Sequence, residues 1–178
     1  VLAARLGFSY VAYQRNVRLA IGHYGNAILS RVPLHDVMDC DLTIPLKKRR
    51  QALLARCEFH FNGHRRTVGL ACVHLGLAGF ERQMQLRRLL AESFFTHLHR
   101  STPAVVGGDY NDVWNSLGRK ALREHGFVSA GKQVRTFPAI LPARPLDRVF
   151  YRGDLETIAA FAGHTETARQ ASDHRPLI

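Results

Sequence analysis

Cysteine is scarce in this chain. Cys40, Cys57 and Cys72 are odd in number and show no metal-ligand spacing, which argues against a disulfide framework or a cysteine-ligated metal. They suit a reducing compartment, the cytoplasm in the first instance, with free and mostly buried thiols. Long hydrophobic runs are missing too: none approaches the ~18 residues of a membrane span. The opening Val1-Leu2-Ala3-Ala4-Arg5-Leu6-Gly7-Phe8 has no basic segment followed by a sustained apolar core, so it does not read as a signal peptide. There is no initiator Met, and the natural start is expected upstream. Neither internal repeats nor low-complexity segments occur. Acidic residues are the remaining shortage: 14 Asp and Glu face 25 Lys and Arg, a formal charge of +11. That excess favours a polyanionic partner such as nucleic acid, phosphorylated lipid headgroups or another phosphate ester, although solubility alone is also served by it.

What is present is ordinary globular material, 46% hydrophobic and 22% charged over 178 residues, enough for one domain with a full core. Residues 1–12 read as a helix end at Leu2, Leu6 and Gly7 running into a strand at Phe8–Tyr13. Gly22-His23-Tyr24-Gly25 reads as a turn, Asn26–Ser30 as a strand stopped at Arg31-Val32-Pro33. Lys47-Lys48-Arg49-Arg50 is a block of positive charge, as compatible with a solvated loop as with a binding patch. Ala52–Phe61 alternates at its end, Asn62-Gly63 supplies a two-residue hairpin turn, and Thr67–Leu75 returns almost wholly apolar. A continuous apolar strand is buried on both sides, which points to the interior of a layered sandwich.

Phe80–Arg100 is expected to be helical, with Leu86, Leu89, Leu90, Phe94 and Leu98 on one stripe. The strand Ala104–Gly107 follows Pro103. A short helix is expected at Ser116–His125, a proline-rich loop at 138–145, and a strand at Leu146–Tyr151. Leu155–Gly163 reads as a further strand, Gly163–Ala171 as a loop, and Ser172–Ile178 as polar residues entering an apolar strand.

Val105-Val106-Gly107-Gly108-Asp109-Tyr110-Asn111 is the stretch around which the chain is organised. An apolar run ends in two glycines and delivers a carboxylate and a carboxamide two positions apart, on one face if the chain is extended. Such a pair suits a hydrated metal and an anionic substrate. Gly-Asp before Asn is also common turn chemistry, and the stretch alone does not decide. The rest of the chain adds His74, Asp147, Asp173 and His174, each at the end of an apolar strand. Singly, each is explained by a turn cap or a surface histidine. Their recurrence in one position class points to one edge of a sandwich.

With these residues in view, the chain resembles the endonuclease/exonuclease/phosphatase superfamily. Gly25-Asn26-Ala27-Ile28-Leu29-Ser30-Arg31 is the first matching segment, followed by Val73-His74-Leu75 with Glu81-Arg82 and Gln85. Gly108-Asp109-Tyr110-Asn111-Asp112, Leu146-Asp147-Arg148-Val149 and Ser172-Asp173-His174-Arg175-Pro176-Leu177 continue the series in order. The resemblance implies an α/β fold of the α+β type: a four-layer α/β/β/α sandwich of two mostly antiparallel sheets flanked by helices. Family members open with a strand carrying an Asn and then a strand ending in Gln-Glu, whose Glu binds the divalent metal. Nothing in residues 1–25 matches either, so a single domain over 1–178 lacking its first strands, roughly 50 residues, is expected.

The resemblance further implies hydrolysis of a phosphodiester or phosphomonoester with Mg²⁺ or Mn²⁺. His174 would be the general base with Asp147 on its other ring nitrogen. Asp109 would orient water or assist the leaving oxygen, Asn111 would hold a non-bridging oxygen, and His74 would donate to the phosphoryl group. Asp173, with Asp109, would face the metal, and Asn26 and Arg82 are weaker candidates for substrate contacts. A nuclease-like phosphodiesterase leads. A phospholipid or inositol-phosphate hydrolase stays open, as does a non-catalytic binding module lacking the metal-binding Glu.

Overall fold

The computed structural model describes residues 2–114, 121–131 and 133–178. Its centre is a hairpin. Strand β6 (Gln51–Phe61) and strand β7 (His64–His74) pair antiparallel from Ala52↔Val73 to Phe61↔His64. Asn62 and Gly63 both take positive φ, 49° and 75°, which is what a tight turn matching the strand twist demands. The base of the hairpin is covered on both sides: Ala52, Leu53, Leu54 and Ala55 are all buried, although alternate residues face opposite ways. Towards the turn the cover ends, and Phe59 and Phe61 stand in solvent.

Strand β5 (Leu34–Asp41) flanks β6, and strands β8 (Ala104–Asp109), β10 (Asp147–Arg152) and β9 (Val128–Ser129) extend the sheet beyond β7. Among the described strands only the β7–β8 pair is parallel, so a crossover must connect them. Helices α2 (Gly79–Ala91) and α3 (Ser93–Thr96) make it. Leu86, Leu89, Leu90, Phe94 and Phe95 bury against Leu54, Ala71, Val73 and Val106 of the sheet. Each such side chain contributes about 1.5–3 kcal/mol of transfer free energy.

The other face carries a two-stranded sheet of β1 (Tyr10–Tyr13) and β4 (Ala27–Ser30). Buried amides tie it to the hairpin: Gln14 Nε2 donates to the Ala52 carbonyl at 2.9 Å, and Asn26 Nδ2 to the Gln51 carbonyl at 2.8 Å. Between these strands a small hairpin, β2 (Val17–Arg18) and β3 (His23–Tyr24), projects outward. The short helices α1 (Leu2–Arg5) and α4 (Glu166–Ala171) complete the described elements. The fold is a mixed α/β sandwich of mostly antiparallel sheets flanked by helices, as expected.

Several local expectations are corrected. The helix foreseen over Phe80–Arg100 breaks at Glu92, whose ψ of 145° turns the chain into α3. His23 and Tyr24 are strand rather than turn. Leu155–Gly163 forms no strand: Ile158 is fully exposed, and among the described residues an isolated bridge from Ala162 to Leu177 is the only β pairing in that segment. The same bridge is all the β structure within Ser172–Ile178. Glu166–Ala171, expected as loop, is helical because the Thr165 hydroxyl accepts from the Ala168 N–H at 3.1 Å. The helix expected at Ser116–His125 lies partly outside the described residues.

Candidate functional site

The register of the main sheet builds the site. His74 stands opposite Asp109 where β7 and β8 end, and Asp147, the first residue of β10, stands opposite Asp109 from the other side. Three polar side chains from segments distant in sequence therefore meet at one sheet edge. Gly108 makes the approach possible: its φ is +140°, and a Cβ there would lie 2.0 Å from the Val73 carbonyl oxygen. Past it, Asn111 closes a turn at φ 49°, with its N–H donating to Asp109 Oδ1 at 2.8 Å. Asn111 Nδ2 donates to the Leu75 carbonyl at 2.9 Å, which ties the loop back to β7.

The C-terminal segment delivers the fourth group. His174 Nδ1 lies 2.7 Å from Asp147 Oδ2, and Thr136 Oγ1 donates to the same oxygen at 2.5 Å. With Nδ1 carrying the proton, Nε2 is left as the acceptor. Main-chain bonds hold the segment in place: Ala139 N–H donates to the Asp173 carbonyl at 2.7 Å, and Arg175 N–H to that of Thr136 at 2.8 Å. The Phe137 ring packs 4.9 Å from the His174 ring, centroid to centroid.

The two histidines are tuned in opposite directions. Burial pulls His174 downward, but the Asp147 hydrogen bond and the charges of Asp147, Asp109 and Asp173 outweigh it and leave the ring above its usual range. His74 is pushed down to about 4, first by burial and then by the positive charges of Arg50 and His174. It lies 3.5 Å from Asp109 through Nε2 and contacts the Tyr24 hydroxyl through Nδ1. A Tyr hydroxyl donating to Nδ1 leaves a neutral imidazole with its N–H at Nε2. Asp109 itself is raised, chiefly by burial, against the Asn111 N–H that lowers it.

Of the residues expected at the site, His74, Asp109, Asp147 and His174 converge, and Asn111 adjoins them. Asp173 is exposed beside His174, with a long 3.4 Å contact to the Ser172 hydroxyl. Asn26 and Arg82 are not presented as substrate contacts. Asn26 is buried, with Nδ2 donating to Gln14 Oε1 and the Gln51 carbonyl. Arg82 is buried as well, donating to the Leu77 carbonyl at 2.5 Å and lying 3.6 Å from Asp112. Tyr24 and Thr136 are additions that no motif signalled. Arg50 is a third, hidden in the basic block. Among the described residues no group of three or more His, Cys, Asp or Glu is arranged to hold a metal ion.

Known proteins resemble this chain in sequence and in fold. Residues 2–174 match the sequence profile of the Endonuclease/Exonuclease/phosphatase family. The uncharacterised protein YbhP of Escherichia coli (strain K12) is 35% identical over 176 residues, 96% of this chain and 67% of that one. The endonuclease/exonuclease/phosphatase structure from Beutenbergia cavernae superposes with a TM-score of 0.75 at 23% identity, covering 99% of this chain. This chain spans about half of that one, 54% of its length. The structure of ANGEL2, a 2′,3′-cyclic phosphatase in complex with adenosine-2′,3′-vanadate, gives 0.75 at 18% identity over 98% of this chain and 74% of its own. A profile match along nearly the whole chain, a relative at this identity and a shared sandwich agree, and the chain belongs to the Endonuclease/Exonuclease/phosphatase family.

Proposed function

We propose that this protein hydrolyses phosphate esters, phosphodiesters foremost, by attack of a water molecule that His174 deprotonates. The observation that carries the proposal is the chain Thr136–Asp147–His174. The hydroxyl fixes the carboxylate, the carboxylate fixes the ring, and Nε2 is free to accept a proton. The water oxygen forms a bond to phosphorus while the bond from phosphorus to the leaving oxygen breaks. The water proton passes to His174 Nε2; the leaving oxygen takes a proton from solvent to become the alcohol, and His174 returns its own to solvent.

The other groups suit a phosphoryl centre. His74, uncharged, presents an N–H that can follow an oxygen as charge builds on it. Asp109, raised by burial, is suited to orienting the water or steadying the leaving oxygen. One amide hydrogen of Asn111 is engaged by Leu75, and the other can meet a non-bridging oxygen. A divalent ion, Mg²⁺ or Mn²⁺, belongs to the proposal: Asp173 and Asp109 would hold it, and such an ion keeps several waters and needs few carboxylates. When bound, it would neutralise phosphoryl charge. Nucleic acid is the favoured polyanion on charge grounds, and the adenosine-2′,3′-vanadate complex of ANGEL2 adds a nucleotide-derived phosphate to the classes worth assaying.

The test is hydrolysis of bis(p-nitrophenyl) phosphate, single-stranded and duplex DNA, RNA, sphingomyelin and inositol phosphates, each with Mg²⁺ and with EDTA. His174→Ala and Asp109→Ala are each expected to lower the Mg²⁺-dependent rate at least ~100-fold. Unchanged rates in His174→Ala remove the base from the scheme, and wild-type inactivity on every substrate favours a binding module.

A further inference from the structure

The most exposed large apolar side chains gather around the site. Ile21, Leu46, Leu77, Trp114, Ile140 and Leu141 are each at least 72% exposed, and Leu46 is wholly so. Every one belongs to a loop that starts or finishes at the site. Ile21 tips the β2–β3 hairpin, whose Tyr24 contacts His74. Leu46 lies in the loop that enters β6 beside the end of β7. Leu77 and Trp114 each stand three positions beyond a site residue, His74 and Asn111. Ile140 and Leu141 follow Ala139, whose N–H is bonded to the Asp173 carbonyl. Among the other described residues only Phe61 and Ile158 are as exposed, and Phe61 is at the far end of the β6–β7 hairpin.

The loop that carries Leu46 is anchored by buried Leu42 and Ile44, and Lys47 N–H donates to the Ile44 carbonyl at 3.0 Å. At its apex Leu46 takes φ 64°, a left-handed conformation uncommon for such a residue, and its side chain stays outside the fold. Exposed apolar residues gathered in one place mark an interaction surface. Lys47, Lys48 and Arg49 beside Leu46 are exposed, as is Arg18 on the hairpin that carries Ile21. Charge alone does not separate nucleic acid from an anionic membrane, but the apolar tips do. Bases stack on flat rings, which aliphatic side chains do not supply. Lysine is depleted at protein–protein interfaces. Aliphatic residues and a Trp among Lys and Arg suit the headgroup region of an anionic bilayer.

We propose that this rim docks on an anionic phospholipid bilayer, with the six apolar tips at the acyl boundary and the basic residues at the headgroup phosphates. The sheet edge of His74, Asp109, Asp147 and His174 then faces the membrane. Docking stands on the surface alone. Its consequence, that the ester hydrolysed is a headgroup phosphate borne on lipid, rests on the phosphate-ester reading given above.

The test uses the full chain with vesicles of phosphatidylcholine, alone or with about one third phosphatidylglycerol. Trp114 is the single tryptophan, so its fluorescence reports the rim directly. Wild type is expected to partition onto the anionic vesicles, with Trp114 emission shifted to the blue and quenched by brominated acyl chains. Ile21→Ser combined with Leu46→Ser should weaken partitioning about tenfold or more. Lys47→Gln combined with Lys48→Gln should weaken it about fivefold per charge. Phe61→Ser, comparably exposed at the opposite end of the hairpin, should bind like wild type. An unshifted and unquenched Trp114 would overturn the proposal, as would a loss in Phe61→Ser equal to that of the Ile21 and Leu46 pair. So would a Trp114 response to a single-stranded oligonucleotide but not to vesicles. Partitioning is read without turnover, so vesicle binding with no ester hydrolysed supports the docking face and removes the hydrolase reading. Hydrolysis of bis(p-nitrophenyl) phosphate with no vesicle binding does the reverse.

Discussion

His174 and His74 share one sheet edge, yet their surroundings make them different reagents. On the His174 side, a carboxylate braced by Thr136 sits 2.7 Å from Nδ1 and holds the ring's affinity for a proton high. On the His74 side, burial and the nearby Arg50 drive the proton off, and the Nδ1 contact is a phenol instead of a carboxylate. The lesson is that residue type alone assigns no role: one imidazole is shaped to hold a proton more readily than usual, and the other to stay uncharged.

The largest separation between the two sides is expected from Asp147→Asn. It removes the charge that raises His174 and disturbs the tautomer set by Nδ1, so kcat/KM should fall by roughly two orders of magnitude or more. Measured hydrolysis within threefold of wild type would make Asp147 a spectator. The pH profile sharpens the same point. A base must be neutral to act, and His174 is raised, so the acidic limb of kcat/KM should lie above pH 6.5, the ordinary histidine value. Loss of the Asp147 charge should move that limb to lower pH in whatever activity remains.

On the other side the effects are smaller. His74→Ala should cost about tenfold to a hundredfold in kcat, and His74→Gln, which retains an N–H donor, should recover part of that. Equal loss in both variants would mean that shape rather than hydrogen-bond donation matters. The stability consequence has a definite sign. Because the folded-state value lies near 4, below the ordinary 6.5, His74 favours the fold fully above pH 6.5 and progressively less as pH falls towards 4. Urea midpoints across that window should therefore depend less on pH in His74→Gln than in wild type. Smallest of all, Tyr24→Phe should lower kcat severalfold and leave KM almost unchanged, since the hydroxyl acts only through His74. Nitrogen chemical shifts of the His74 ring should show the Nε2–H tautomer in wild type and a mixture in the variant.

Much of this was legible in the chain. The Gly-Asp-Tyr-Asn stretch, Asp147 and the Ser-Asp-His segment all stood at strand ends, and strand ends are where a sheet presents side chains to ligand. Asn26 and Arg82 sit in matching segments yet are buried, because a polar residue that ties two layers together looks the same in one dimension as one that meets a ligand. Leu155–Gly163 has the apolar content of a strand, but among the described residues no strand pairs along it beyond the single Ala162–Leu177 bridge. Thr136 carries no signal eleven positions before its partner Asp147. Tyr24 lies in a stretch whose glycines suggested a turn.

The sequence by itself determined the hairpin, the apolar stripe of the crossover helix and the order of the polar groups, since periodicity and turn chemistry act between near neighbours. Tertiary structure decided the rest. Only the sheet register sets Asp109 between His74 and Asp147, and only close packing turns a tyrosine and a threonine towards those side chains. Through-space charge and burial then give two identical imidazoles opposite proton affinities, a distinction that no local pattern encodes.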